Sequence, residues 1–254
     1  MLFDLTHILF FSISFILIAV LEIILYKYAH EQKNKNLILK IAALLTVIIH
    51  YSSLMYDYLT TKSARIEENM IFMVYPCNVG MWCLLLCAFI ENKNTKFYHI
   101  LSEFTFYLGI VGGLIGILFN ENYSNTPSLA DYHILKGLVS HVTMLFGAIY
   151  LKVGFYIRIR IHNILSVALG YIFMLLNAVF VITIEKAFDM EASNPMYLIS
   201  VPYEAYPWIN IWTMGLSGFV LLLAIVTIYE IMFVKKEERW YYILRNTLKK
   251  EGNK

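Results

Sequence analysis

The sequence predicts an all-α, polytopic membrane protein with seven transmembrane helices, its N-terminus outside and its C-terminus cytoplasmic. Three observations carry this. Of 254 residues, 59% are hydrophobic and only 15% charged, with a mean hydropathy of +0.64, whereas a soluble domain carries about 25% charged residues. Apolar segments long enough to cross a hydrocarbon layer, roughly 20 residues each, recur seven times between polar breaks. Sixteen of the 20 Lys and Arg residues fall on one alternating set of breaks and four on the other, and the basic side of a membrane protein is the cytoplasmic one.

The same arithmetic excludes a soluble enzyme, a disordered chain and a disulfide-stapled secreted domain. A net charge of +2 and a pI of 8.3 give no reason to expect a nucleic-acid partner. Cys77, Cys83 and Cys87 all lie within one apolar stretch, so they link no distant segments, and their spacing suits no metal site.

The first span, about residues 3–26, has no basic segment before it and no small-residue cleavage site after it, and reads as a retained helix. Spans follow at about 37–59, 70–90, 97–119, 132–155, 161–184 and 208–234. Residues 1–234 thus form the transmembrane domain. Residues 235–254, charged with an aromatic cluster, form a cytoplasmic tail expected to lie on the membrane surface as a short helix. Overlapping Gly-xxx-Gly steps in the fourth span, Gly109/Gly113 and Gly112/Gly116, predict close helix packing.

Ionisable groups at membrane depth cost about 2.5–3.5 kcal/mol each on insertion scales, so each needs a reason. At about 1.5 Å of rise per residue, Asp4 and His7 fall near the outer face in the first span, and His50 and Asp57 in the outer half of the second. Cys77 and Asn78 fall there in the third, His141 with Ser140 and Thr143 in the fifth, and Asn177 in the sixth. Five helices supply polar groups to one slab. Glu22, Glu103 and Glu230 fall near the cytoplasmic ends, where water or the basic loops are within reach. Pro76 is expected to open the third helix beside Cys77, and a thiol there at the depth of His141 suits nucleophilic chemistry with a histidine base. The loop after the sixth span, with Met196-Tyr197-Leu198 and Tyr206-Pro207-Trp208, reads as an aromatic belt or as a lid over the polar slab.

Tyr75-Pro76-Cys77-Asn78, Ser140-His141, Asn177, Asn194-Pro195-Met196-Tyr197-Leu198 and Pro207-Trp208 together resemble the YwaF-like family of bacterial integral membrane proteins. That family looks related to a eukaryotic transmembrane acyltransferase that remodels ether phospholipids through a catalytic cysteine. The resemblance implies a multi-pass protein of the bacterial plasma membrane, with Cys77 as nucleophile, His141 as its base, and His7, His50, Asn78, Asn177 and Tyr197 binding substrate. It implies no cofactor and no metal. Its partners are a membrane phospholipid as acyl donor and a lyso-lipid or lipoprotein amine as acceptor. Bacterial relatives often carry a histidine two residues before the cysteine; this chain has Tyr75, so His50 has to take that place. The competing expectation is a transporter or ligand-binding protein using the same cavity. Against it, the chain has no inverted repeat of the usual transporter kind. A metal-dependent hydrolase would draw on Asp4, His7, His50 and His141, which lack ligand spacing. A retinal protein is excluded, because the seventh span has no lysine before Lys235.

Overall fold

The computed structural model describes residues 3–62, 72–190, 193–200 and 210–251. Every element among them is helical: α1 (Leu5–Tyr28), α2 (Gln32–Thr61), α3 (Pro76–Phe89), α4 (Lys96–Leu118), α5 (Glu121–Asn125), α6 (Tyr132–Val153), α7 (Asn163–Ala187), α8 (Ile211–Phe233) and α9 (Trp240–Glu251), with 3-10 turns at Pro195–Tyr197 and Lys236–Glu238. Six helices, α1, α2, α4, α6, α7 and α8, are long and apolar enough to cross a membrane.

The third predicted span departs from the other six. Its helix has 14 residues, about 21 Å at ordinary helical rise against the ~30 Å of a hydrocarbon core. The cause is Pro76. It occupies the first helical position, where its missing N–H costs nothing, and it forces the preceding residue out of the helical region. Tyr75 accordingly sits at φ −112°, ψ 156°. Pro76 therefore does not kink a long helix, as expected from sequence; it begins a short one.

Burial follows the polar residues. In α1 only His7, Ser14, Ile18 and Glu22 are buried, a single stripe at helical spacing, while Leu9, Ile13, Ile16 and Leu17 on the other faces are exposed. That is the pattern of a helix whose apolar side faces lipid and whose polar side faces protein. α6 is the centre of the bundle, packing most extensively on α4 and α2 and also on α1 and α3. The α4 glycines permit this approach. A methyl added at Gly109 would lie 2.6 Å from the Ala148 Cβ, and one at Gly113 2.8 Å from the Leu145 Cβ. Gly109→Ala is therefore expected to cost about 1–3 kcal/mol by overpacking. Gly218→Ala in α8, where nothing lies within 4 Å, is expected to be neutral or stabilising by up to about 1 kcal/mol. Thermal unfolding of the two variants in one detergent checks the contrast.

The connections gather at two ends. At one, Tyr156 Oη donates to Asn36 Oδ1 (2.7 Å), Lys35 Nζ lies over the Phe155 ring and Lys93 Nζ over Tyr98 and Tyr156. The α9 tail joins this end, with the Trp240 N–H donating to Glu230 (2.7 Å) and its indole to Thr227 (3.0 Å). At the other end, Tyr123 Oη donates to Asp4 (2.8 Å) and Tyr132 Oη to Ser52 (2.6 Å). Of the three glutamates, only Glu22 differs from expectation. Glu103 accepts from Ser166 (2.5 Å), with His162 Nε2 3.7 Å away, and Glu230 is taken by Trp240. Glu22 is buried against the bundle, and neither of its oxygens is hydrogen-bonded among the described residues. None of the three is ion-paired to Lys or Arg among those residues; Glu103 instead meets His162, at the end of the basic 158–162 loop.

Candidate functional site

Helices α2, α3, α4 and α6 enclose a cavity of about 390 Å³ in the half of the bundle nearer the Asp4–Tyr123 end. Its polar wall holds Cys77 and Asn78 from α3, His50 from α2, and Lys136, Ser140 and His141 from α6, with Tyr75 and Tyr197 closing one side. On α6 the lining residues fall at His133, Lys136, Gly137, Ser140, His141 and Met144, the period of one helical face.

The backbone leading to Cys77 is non-helical where α2 beside it is still helical, and its polar groups are satisfied by side chains and a neighbouring loop. Asn177 Nδ2 donates to the Met73 carbonyl (2.7 Å). The Met196 N–H donates to the Val74 carbonyl (2.7 Å), and the Tyr75 N–H donates to Asn78 Oδ1 (3.0 Å). Irregular backbone within a membrane persists only with such partners or beside a cavity. The turn that supplies Met196 is itself closed by Asn194, whose amide bonds the Ile199 and Ser200 N–H groups and the Ser200 carbonyl. Met196 is fully buried, and the Tyr197 ring stands 5.5 Å from that of Tyr75. Both residues adopt left-handed backbone angles, φ 54° and 56°, a conformation uncommon outside glycine and held here by the docked turn.

Cys77 is the second residue of α3 and is partly accessible. The start of α3 carries the positive end of the helix dipole; Pro76 has no N–H, and the Asn78 and Val79 N–H groups donate to the Tyr75 carbonyl (3.0 and 3.3 Å). Asn78 Nδ2 lies 3.5 Å from His50 Nε2; since Asn78 Oδ1 is taken by Tyr75, the amide nitrogen is the group turned to the imidazole. His141 fits against Gly116, where an added methyl would lie 2.4 Å from the ring. Cys83 and Cys87 are buried away from the cavity, Cys83 in an apolar cluster with Val79 and Phe104, Cys87 3.5 Å from the Thr105 hydroxyl.

Two of the residues expected at this site lie elsewhere. His7 is fully buried, with Nε2 donating to the Ile117 carbonyl (2.8 Å), Nδ1 accepting from the Phe3 N–H (3.2 Å) and its ring stacked on Tyr123. Its neighbour Asp4 caps α1, accepting from the His7 N–H (2.8 Å) and from the Tyr123 hydroxyl (2.8 Å). This is a latch between α1 and α4, because both imidazole nitrogens are spent on backbone groups. Asn177 does not line the cavity; it positions the chain before Cys77. Tyr206, Pro207 and Trp208 lie outside the described residues. Among the described residues no three His, Cys, Asp or Glu side chains converge as a metal site requires.

Three further residues, none of them expected there from sequence, enter the site. Gly116 makes the space that His141 fills. Lys136 Nζ donates to the buried Ser53 hydroxyl (3.3 Å), and His133 Nε2 lies 3.0 Å from Asp57 Oδ1. The signal for the last two was available: His133, Lys136, Ser140 and His141 repeat at three, four and one residues along one face.

No curated protein and no solved structure is detectably similar to the chain. A sequence model of the TMEM164 family, a family of transmembrane proteins, matches residues 2–240. That span takes in all six long apolar helices and the whole cavity wall, so the chain belongs to the TMEM164 family.

Proposed function

We propose that this membrane protein is a cysteine-dependent acyltransferase that moves a fatty acyl chain from a phospholipid to a lyso-lipid or lipoprotein amine. The observation that carries the reading is that Cys77, His141 and His50 face one cavity within the bundle. The resemblance of the Tyr75–Asn78 and Ser140-His141 steps supports it independently.

In this scheme His141 takes the proton of the Cys77 thiol, and the sulfur attacks the ester carbonyl of the donor. Negative charge develops on the carbonyl oxygen beside the start of α3, where the positive end of the helix dipole stabilises it. The C–O bond then breaks, the leaving oxygen takes the proton from His141, and the acyl chain stays on Cys77 as a thioester. An acceptor hydroxyl or amine gives its proton to His141 and attacks the thioester; the C–S bond breaks and the sulfur recovers the proton. The thioester divides one difficult transfer into two easier ones.

The reading includes a topology. In it the chain crosses seven times, and the basic loops and C-terminus face the cytoplasm of a bacterial cell. The cavity then opens toward the outer leaflet. Reporter fusions after Lys35 and after Asn125 are expected on opposite sides, the first cytoplasmic; both on one side contradicts the topology. Purified protein in vesicles containing a phospholipid with a labelled acyl chain and an unlabelled lyso-lipid tests the activity. Label is expected in the acceptor, with a lyso-donor released in equal amount. Lipid binding without transfer would instead fit a transporter or binding protein.

A further inference from the structure

We propose that Glu22 and Tyr150 form a proton-binding site inside the membrane, in which Glu22 stands as a neutral carboxylic acid with the Tyr150 hydroxyl as its partner. The site lies outside the Cys77 cavity and does not depend on the acyl-transfer reading.

Glu22 is the last member of the buried α1 stripe, six residues before the helix ends at Tyr28, about 9 Å at helical rise. It is 6% exposed, and neither of its carboxyl oxygens is hydrogen-bonded among the described residues. The other polar members of the stripe are satisfied: His7 bonds backbone groups through both ring nitrogens, and the Ser14 hydroxyl donates to the Phe10 carbonyl (2.8 Å). An ionised Glu22 would be a buried charge at membrane depth with nothing to offset it, a costly arrangement. The lysines nearest to hand are engaged elsewhere, Lys27 over the Tyr28 ring and Lys152 over the Tyr229 ring. A neutral carboxyl removes the charge and adds a donor to its acceptors.

The helix that packs against α1 supplies the partner. Tyr150 on α6 is 1% exposed, and its hydroxyl too is without a hydrogen bond among the described residues. It is close enough to Glu22 to feel that charge electrostatically. Two buried polar groups on neighbouring helices therefore each lack what the other carries, and a proton held between them satisfies both. Tyr150 acts in the same way on Tyr156, whose hydroxyl donates to Asn36 (2.7 Å) and lies 3.5 Å from Gln32 Nε2. A line of hydroxyls thus leads from the connections at that end of the bundle to Glu22.

Infrared spectroscopy of the full chain in lipid vesicles at neutral pH tests this. A carboxylic acid absorbs above the amide bands, where ionised carboxylates do not. One such band is expected to be lost in Glu22→Gln and to move to higher frequency in Tyr150→Phe, which leaves the acid without its partner. A spectrum that Glu22→Gln does not change overturns the site, and a band that keeps its position in Tyr150→Phe overturns the role of Tyr150. Should Glu22→Gln not fold, dicyclohexylcarbodiimide applied to the unaltered protein gives the same decision. The acid proton passes to one reagent nitrogen, the carboxylate oxygen bonds the central carbon, and rearrangement to an N-acylurea keeps every atom of the reagent on the protein. One adduct is expected by intact mass, mapped to Glu22. An adduct on Glu103 or Glu230 with Glu22 unmodified, or no adduct, overturns the proposal.

Discussion

Cys77→Ala and Cys77→Ser are expected to abolish acyl transfer, a loss of about 10⁴-fold or more, as when a covalent nucleophile is removed. The expectation comes from position. Cys77 is the accessible thiol, at the start of α3 on the cavity wall, whereas Cys83 and Cys87 are buried in helix contacts. Cys83→Ala and Cys87→Ala should keep the rate and lower stability by about 1 kcal/mol through lost packing. The four proteins compared in the vesicle transfer assay, each with its unfolding temperature, separate the two effects. A Cys77→Ala protein that transfers at the normal rate would remove the nucleophile from the scheme.

The second large effect is at His141. Replacing it by alanine removes general-base assistance, about 10²–10⁴-fold. The informative companion is Gly116→Ala, which leaves His141 in place chemically but sets a methyl 2.4 Å from its ring. The ring must move, and a displacement of about 1 Å in a catalytic group costs on the order of 10²-fold. Gly112→Ala, with 3.5 Å to the Met144 methyl, meets ordinary contact and should retain most of the rate. Equal rates in the Gly116 and Gly112 variants would mean that the position of His141 does not matter for transfer.

That pair of glycines shows where the sequence was legible and where it was not. Their four-residue spacing announces close helix packing, and α4 does pack closely on α6. Spacing alone does not tell which glycine faces a methionine and which an imidazole, because that depends on the rotation of α6 about its own axis. Depth was legible for the same reason that rotation was not: rise per residue is fixed, so His50, Cys77, Asn78 and His141 could be brought to one level from the chain alone. His7 shares that general depth, yet its two nitrogens are taken by Phe3 and Ile117 in a packing latch. Asn177 faces the backbone before Cys77 instead of the cavity. The short α3 was legible in Pro76, since a proline disfavours helix before it and tolerates helix after it; apolar content across residues 70–90 masked that signal. Lys136 lies only one turn inside α6, where a lysine is equally compatible with a loop charge that reaches water. The six long apolar helices needed only composition and length.

The central claim is that an acyl chain rides on Cys77. Protein incubated with a phospholipid donor in the absence of any acceptor, then quenched in acid, should show by intact mass the addition of one acyl group. Peptide mapping should place it on Cys77, and neutral hydroxylamine should remove it, as it does a thioester. Transfer to a later-added acceptor while Cys77 stays unmodified throughout would contradict the claim.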